Sequence, residues 1–330
     1  MSLVNENLRP RDIMTPAAFS NAMAVGLAVS GSINMLRHLQ AVASEGEIDA
    51  NVYDLIHQLG QKVPLLCAIK PNGSGRIDEL EASGGARAVM KQLESLLHRD
   101  VMTVTGRTVG ENLADVTVGD GVIGSLDQPV RSGPSVVILR GSLAPQGSIM
   151  KLGTGKAAAF RGQCRVFESQ EDAMAALARR EIKGGEVIVL RGLGARGGPG
   201  VASASWFVAA VNGAHLGEEI AVITDGQLSG LNRGFTIGQV MPEAADGGPI
   251  ALVRDGDTVA INVEARTIDI ELSESELEHR RAAMPAFVPN EKAGWLAIYQ
   301  DRVQPLTQGG TLKPGARMDQ SATAQKQKSP

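Results

Sequence analysis

Apolar positions in the first third of the chain recur at helical spacing. Phe19, Met23 and Leu27, then Ile33, Leu36, Leu39 and Val42, predict two helices broken at Ser30-Gly31-Ser32. Thr15 suits an N-cap and Pro16 the first helical position. Val52, Leu55, Ile56 and Leu59 predict a short third helix ending at Gly60. Val63 to Ile69 is a continuous apolar run, the pattern of a strand buried on both faces, and Lys70-Pro71-Asn72-Gly73 breaks it. Val89, Met90, Leu93, Leu96 and Leu97 predict a helix after Gly84-Gly85. Met102–Thr105 reads as a short strand and Val109–Leu113 as a helical turn. Strand, turn and helix alternate, which is an α/β pattern.

Near Gly119 the texture changes. Val136–Leu139, Ile149–Leu152, Cys164–Phe167, Val187–Leu190, Ile220–Ile223 and Ile250–Val253 are short apolar runs with Gly, Pro or Asp turns between most of them. Val259, Ile261, Val263, then Ile268, Ile270 and Leu272 alternate with polar residues, an antiparallel hairpin turning near Glu264–Thr267. Helices are expected at Gln170–Arg180, about Ser205–Leu216, and Ser273–Met284, the last opened by Ser273 with Glu276 three residues on. Many short strands with interspersed helices predict a closed or nearly closed barrel with helices outside. The fold class is therefore α/β, with a Gly/Lys/Gln/Ser-rich stretch over 306–330 expected to be a disordered tail.

Composition narrows the function. The chain has 330 residues, 43% hydrophobic, with 39 glycines and only 3% aromatic residues. Its core must come from aliphatic side chains. A net charge of −4 without a Lys/Arg stripe argues against nucleic acid. No apolar run reaches the roughly 18 residues of a membrane span. Met1–Met14 is too polar for a signal peptide. Two widely separated cysteines, Cys67 and Cys164, make neither a disulfide framework nor a cysteine-rich metal site, so a reduced cytoplasmic protein is expected.

Candidate chemistry concentrates in Val222–Gly234, VITDGQLSGLNRG. A buried strand running into Thr224-Asp225-Gly226 and then Ser229-Gly230 can present one side chain and several backbone N–H groups to a ligand. Gly226 and Gly230 can take positive φ and let a substrate approach the backbone closely; an ordinary strand-to-loop turn is the alternative. Gly192–Gly200, GLGARGGPG, follows a strand and precedes a helix. It suits either an anion site or a structural loop. Glu243 could be a base or ligand, or an N-cap or solvated charge. The five histidines, His38, His57, His98, His215 and His279, stand apart from one another and from metal-ligand spacing.

Taken in order, several stretches resemble the dihydroxy-acid dehydratase and phosphogluconate dehydratase family. They are Ser30–Asn34, Val63–Leu66 with Lys70–Gly73, Gly84-Gly85, Thr103–Thr108, Gly141–Pro145, Gly197–Gly200, Ile223–Gly226 with Ser229-Gly230, and Pro242–Ala244 with Gly247–Ile250. The likeness runs from about Arg9 to Tyr299 and is taken as the C-terminal portion of such an enzyme, which implies a partial α/β domain over 1–118 followed by a β-barrel domain with flanking helices over 119–305. It implies a hydro-lyase converting a dihydroxy acid or sugar acid to a 2-keto acid, as in amino-acid biosynthesis or sugar-acid metabolism. It also implies an iron–sulfur cluster as Lewis acid and a magnesium ion. The resemblance makes Ser229 the catalytic base, with Thr224, Asp225, Gly226, Gly230, Gly198 and Gly200 binding a small hydroxy acid.

The same resemblance implies losses. The family's cluster cysteines and Asp-Lys metal pair have no counterpart here, and Cys67 and Cys164 read as buried small hydrophobes. Val201-Ala202-Ser203-Ala204 stands where the family has a metal-binding carboxylate just after Gly-Gly-Pro-Gly. Gln227 and Leu228 replace Arg and Phe, Leu231 and Asn232 replace a small and a hydroxyl residue, Gln239 replaces His, and Ile33 replaces Thr. No metal ligand or cofactor site is therefore expected in this chain alone. The expectation is a dehydratase chain needing a cysteine-bearing companion chain. Its rivals are a non-catalytic homologue, binding a sugar acid or a family partner, and a truncated inactive product. Half of an α/β domain would expose apolar surface, so a homodimer, a companion or poor solubility is expected.

Overall fold

The computed structural model describes residues 1–152, 158–229 and 234–314. The chain forms two compact units. The first is Met1–Ile138 with Met150–Ala157 and Ser229–Leu231; the second is Leu139–Ile149, Ala158–Leu228 and Asn232–Pro330.

The first unit carries helices α1 (Ser2–Asn5), α2 (Pro10–Ile13), α3 (Pro16–Ala28), α4 (Asn34–Gly46), α5 (Val52–Leu59), α6 (Ile77–Ala82), α7 (Gly85–Gln92) and α8 (Val109–Leu113). Thr15 caps α3 by accepting the Ala18 N–H, with Pro16 at the first position as expected. The α3–α4 break falls at Ser30-Gly31-Ser32, where Ser30 is left-handed with φ of 52°. Lys151 reaches this break: its Nζ donates to the carbonyls of Ser30 at 2.9 Å and Gly31 at 3.0 Å. Burial lowers the Lys151 pKa to about 8.

Two expected strands do not form in this unit. Val63–Ile69 is buried through Cys67, yet it contributes only isolated bridges such as Leu65 to Arg131. Its Leu66 and Cys67 N–H groups donate to Ala28 O at the end of α3 instead. Met102–Thr105 is likewise reduced to a bridge between Met102 and Thr108. An apolar run specifies burial; extended pairing also needs a neighbouring strand.

The strands are β1 (Val136–Leu139), β2 (Gly147–Lys151), β3 (Ala159–Phe167), β4 (Val187–Leu190), β5 (Ala221–Thr224), β6 (Phe235–Met241), β7 (Thr258–Asn262) and β8 (Thr267–Ile270). Their sheet order is β1-β2-β6-β5-β4-β3-β7-β8. Within the second unit, Arg140, just past β1, bridges Thr267 at the start of β8. The sheet thus curls into a nearly closed barrel with helices on its flanks, as the strand pattern predicts. β3, β4, β5 and β6 run parallel, and β4 (VIVL) and β5 (AVIT) are buried at every position, which explains their unbroken apolar character. The β7–β8 hairpin pairs Asn262 with Thr267, and its alternating burial matches the alternating sequence.

Two further differences mark where local pattern fell short. Ile250–Val253, expected as a strand, lies largely in a 3₁₀ turn, Pro249–Leu252, directed by the proline at its start. β6 was not expected, because Phe235–Met241 mixes apolar residues with Thr236, Gly238 and Gln239; its parallel pairing to β5 supplies the missing specification.

The second unit's helices are α9 (Gln170–Ala178), α10 (Ser205–Gly213), α11 (Glu274–Ala282) and α12 (Gly294–Arg302). Ser273 caps α11 by accepting the Glu276 N–H. Leu306–Gln308, inside the stretch expected to be a tail, forms a 3₁₀ turn with Leu306 buried, and residues 315–330 lie outside the described residues. No helix among the described residues is long and apolar enough to cross a membrane.

Adjacent residues of α10 provide a test of its orientation. Phe207 is fully buried and Trp206 is 77% exposed. Phe207→Ala is expected to cost about 3–5 kcal/mol in urea unfolding, and Trp206→Ala to stay within about 0.5 kcal/mol of wild type.

Candidate functional site

Three segments of the second unit converge beyond the ends of β4, β5 and β6: the loop from Gly192, the turn from Thr224, and Pro242–Asp246. Thr224 is fully buried, and its Oγ1 accepts the Gly226 N–H at 2.9 Å, tying the turn to itself. Asp225, also fully buried, accepts backbone N–H groups from Leu193 at 2.9 Å, Gly192 at 3.1 Å and Ala244 at 2.9 Å. One carboxylate thereby joins all three segments. Burial pushes the Asp225 carboxyl upward, and the three N–H groups oppose that shift.

Glu243 makes a second clamp. It is 2% exposed, and its carboxylate accepts the N–H of Arg196 at 2.9 and 3.1 Å and of Gly197 at 2.9 Å. Burial raises its pKa to about 8, reinforced by the negative charges of Asp246 and Asp225. Of the roles open to Glu243 in the sequence, solvated charge is excluded by burial, and its side chain makes no N-cap bond to the following 3₁₀ turn. A clamp on a loop some 47 residues earlier in the chain leaves no sequence signal.

The glycines have packing reasons. A Cβ on Gly226 would lie 2.6 Å from Ala202 O and from Leu193 Cβ, and one on Gly198 would lie 2.9 Å from Leu193 Cα and Ala202 Cβ. Gly226 does not use the left-handed φ open to a glycine; a Cβ there would strike the loop that presses on the turn. Gly194 is similarly closed in by the Glu243 carboxylate. Gly200 is exposed, with φ of +88° and open space around its Cβ position. Gly230 lies outside the described residues.

The turn is braced from two more sides. Gln227 N donates to Ala202 O at 2.9 Å, and Ala204 N to Gln227 O at 3.0 Å. The Gln239 amide donates from Nε2 to Gln227 Oε1 at 2.7 Å. Gln239 is fully buried with a left-handed φ of 50° inside β6, an uncommon conformation held by its own N–H donating to Gly226 O. Beyond the braced turn come buried Leu228 and half-buried Ser229, the latter grouping with the first unit.

The described residues do not match an iron–sulfur cluster or a magnesium site. Cys67 and Cys164 are buried, burial raises both thiols, and Cys164 reaches about 12 with Asp257 and Asp255 adding to the effect. Among the described residues no group of three or more His, Cys, Asp or Glu could hold a metal. The Asp225 and Glu243 carboxylates serve backbone N–H groups, and Val201, a β-branched residue at φ of 65°, follows the Gly-Gly-Pro-Gly run. Within the second unit, the turn is tied by hydrogen bonds through Gln227.

This is an α/β protein with a nearly closed barrel whose loops are locked by buried carboxylates. Residues 1–112 match the description dihydroxy-acid/6-phosphogluconate dehydratase N-terminal, and residues 121–310 match its C-terminal counterpart. The chain belongs to the dihydroxy-acid/6-phosphogluconate dehydratase family, and its match extends beyond the C-terminal portion into the N-terminal domain. It is 41% identical over 318 residues to a dihydroxy-acid dehydratase of Caldicellulosiruptor bescii, covering 95% of this chain and 57% of that protein. Similar figures hold for proteins of the same name from Methylococcus capsulatus (41% over 320 residues, 96% and 57%) and Ignicoccus hospitalis (42% over 318 residues, 95% and 57%). The chain thus spans a little over half the length of the curated relatives it matches.

Two outcomes test the clamps. Asp225→Ala leaves three buried N–H groups without their acceptor and is expected to destabilise the second unit by about 3–5 kcal/mol. Glu243 carries a folded-state pKa above its unfolded one, so the folded state holds the extra proton between pH about 4.5 and about 8. Stability owed to this group falls as pH rises through that window and is level above it. The melting temperature of wild type relative to Glu243→Gln is expected to fall across that window and then stay constant.

Proposed function

We propose that this chain is part of a dehydratase-type hydro-lyase converting a dihydroxy acid or sugar acid to a 2-keto acid. An iron–sulfur-bearing half would be supplied from outside these 330 residues. The observation that carries the reading is the likeness at 41% identity along 95% of the chain to proteins named dihydroxy-acid dehydratase. Loss of the C2 proton and of the C3 hydroxyl gives an enol and water, and the enol ketonises to the 2-keto acid. Ser229 is the proton acceptor at C2. A serine hydroxyl is a very weak acid, so this role needs its alkoxide stabilised by neighbouring charge or N–H donors. The clamped turn serves that role by holding the backbone ahead of Ser229 in one conformation. Thr224, Asp225, Gly226 and Gly198 act through the shape of the turn and loop, leaving Gly200 and Gly230 for contact with the hydroxy acid. The acidic balance and two isolated cysteines suit a reducing cytoplasmic setting.

A non-catalytic homologue binding a sugar acid or a family partner, or an inactive product, is the second reading. The side-chain inventory favours it: the two buried carboxylates nearest the turn are committed to backbone N–H groups, and Val201 offers no ligand atom.

Iron and acid-labile sulfide in protein purified without oxygen from its native source separate the two. About one cluster per chain supports the dehydratase; metal-free protein overturns it. In such a preparation, Ser229→Ala is expected to abolish 2-keto acid formation while leaving hydroxy-acid binding within a few-fold, and undiminished turnover would remove Ser229 from the reaction.

A further inference from the structure

Helix α12 is anchored by a polar side chain. Gln300 is its buried residue, at 1% exposure, while Trp295 on the same helix is 72% exposed and Ile298 55%. A buried amide costs free energy unless both its ends are hydrogen-bonded. Here both are: Nε2 donates to Arg196 O at 2.7 Å, and Oε1 accepts the Glu291 N–H at 3.1 Å. Hydrogen bonds thus fix α12 to the Gly192–Gly200 loop where an amphipathic helix would ordinarily use apolar burial.

Other residues of the same segment reach that loop. The Phe287 ring lies 5.0 Å from the Arg196 guanidinium, a cation–π contact. Asn290 Nδ2 stands 3.5 Å from Gly197 O. Gly310, left-handed at φ of +66°, passes over buried Ala195, and a Cβ on it would lie 3.7 Å from Ala195 Cβ. Arg196 O and Gly197 N belong to one trans peptide unit, so its C=O and N–H point in opposite directions. The N–H donates to the Glu243 carboxylate, and the C=O accepts from the Gln300 amide. Each end of the peptide has the partner its polarity requires, one from the clamp already described and one from α12.

We propose that Gln300 is a positioning residue: with the segment from Phe287 to Gly310 it straps the outer side of the Gly192–Gly200 loop and so sets where Gly200 meets the hydroxy acid. The inference rests on the dehydratase reading only for that ligand; the strap itself is read without turnover.

Hydrogen exchange of the full chain tests the strap. Gln300→Met keeps the volume and loses the donor, so the Arg196, Gly197 and Gly198 amides are expected to exchange at least about tenfold faster. Val222 and Ile223 in β5 are expected to stay as in wild type. Gln300→Glu separates hydrogen bonding from space filling. Its protonated carboxyl can donate to Arg196 O and its carboxylate cannot, so loop exchange relative to wild type is expected to rise with pH. Wild-type protection of the loop in Gln300→Met overturns the strap, as does a Gln300→Glu ratio that is flat in pH. Should both variants unfold, with β5 exchanging too, Phe287→Leu decides: the same loop amides are expected to quicken at least about twofold, and no change there overturns the strap. Ligand affinity then tests the positioning role, in the anaerobic preparation and with 2,3-dihydroxybutanoate and gluconate as probes. The dissociation constant of whichever binds wild type is expected to rise at least about fivefold in Gln300→Met. An unchanged constant beside a loosened loop overturns the positioning role. If wild type binds neither, the contact at Gly200 fails together with the dehydratase reading, while the loop amides still decide the strap.

Discussion

Buried carboxylates accepting backbone N–H groups hold the second unit's loops together, and much of the local chemistry follows from that arrangement. Asp225 joins the Gly192 loop, its own turn and Ala244 through three N–H bonds; Glu243 takes the N–H groups of Arg196 and Gly197 from the same loop. A loop has few apolar side chains to pack, so its position must be set by hydrogen bonds. An ionised or proton-sharing carboxylate is a strong acceptor for such bonds in a low-dielectric interior. Burial, with the nearby charges of Asp246 and Asp225, raises the Glu243 pKa to about 8, so that carboxyl holds a proton near neutrality.

The clamp accounts for the glycines as well. Gly194, Gly198 and Gly226 lie where a Cβ would strike the Glu243 carboxylate, Leu193 and Ala202. Two backbone layers and a carboxylate occupy the volume side chains would fill, and the result is a turn whose direction is set by packing.

The departures from the family pattern read differently once the turn is seen. Gln227 and Gln239, replacing Arg and His by resemblance, form a 2.7 Å amide pair that braces the turn from β6. Two neutral side chains thus brace the turn. Val201 does not replace a carboxylate chemically, and it keeps a left-handed conformation that is unfavourable for a β-branched residue.

The sequence by itself determined the α/β class, the break between α3 and α4, the β7–β8 hairpin, the fully apolar inner strands and the family, because each depends on local periodicity, turn residues or motif order. The same reading picked out Asp225 and the glycines as important but assigned them to substrate. Only the tertiary structure decided that Val63–Ile69 is buried without a strand partner, that Phe235–Met241 pairs with β5, and that Asp225 and Glu243 serve loops distant in sequence. It also decided that α12 turns its glutamine inward and its tryptophan outward. Each of these rests on which segments become neighbours, and burial and hydrogen-bond partnership between distant segments leave no periodic trace along the chain.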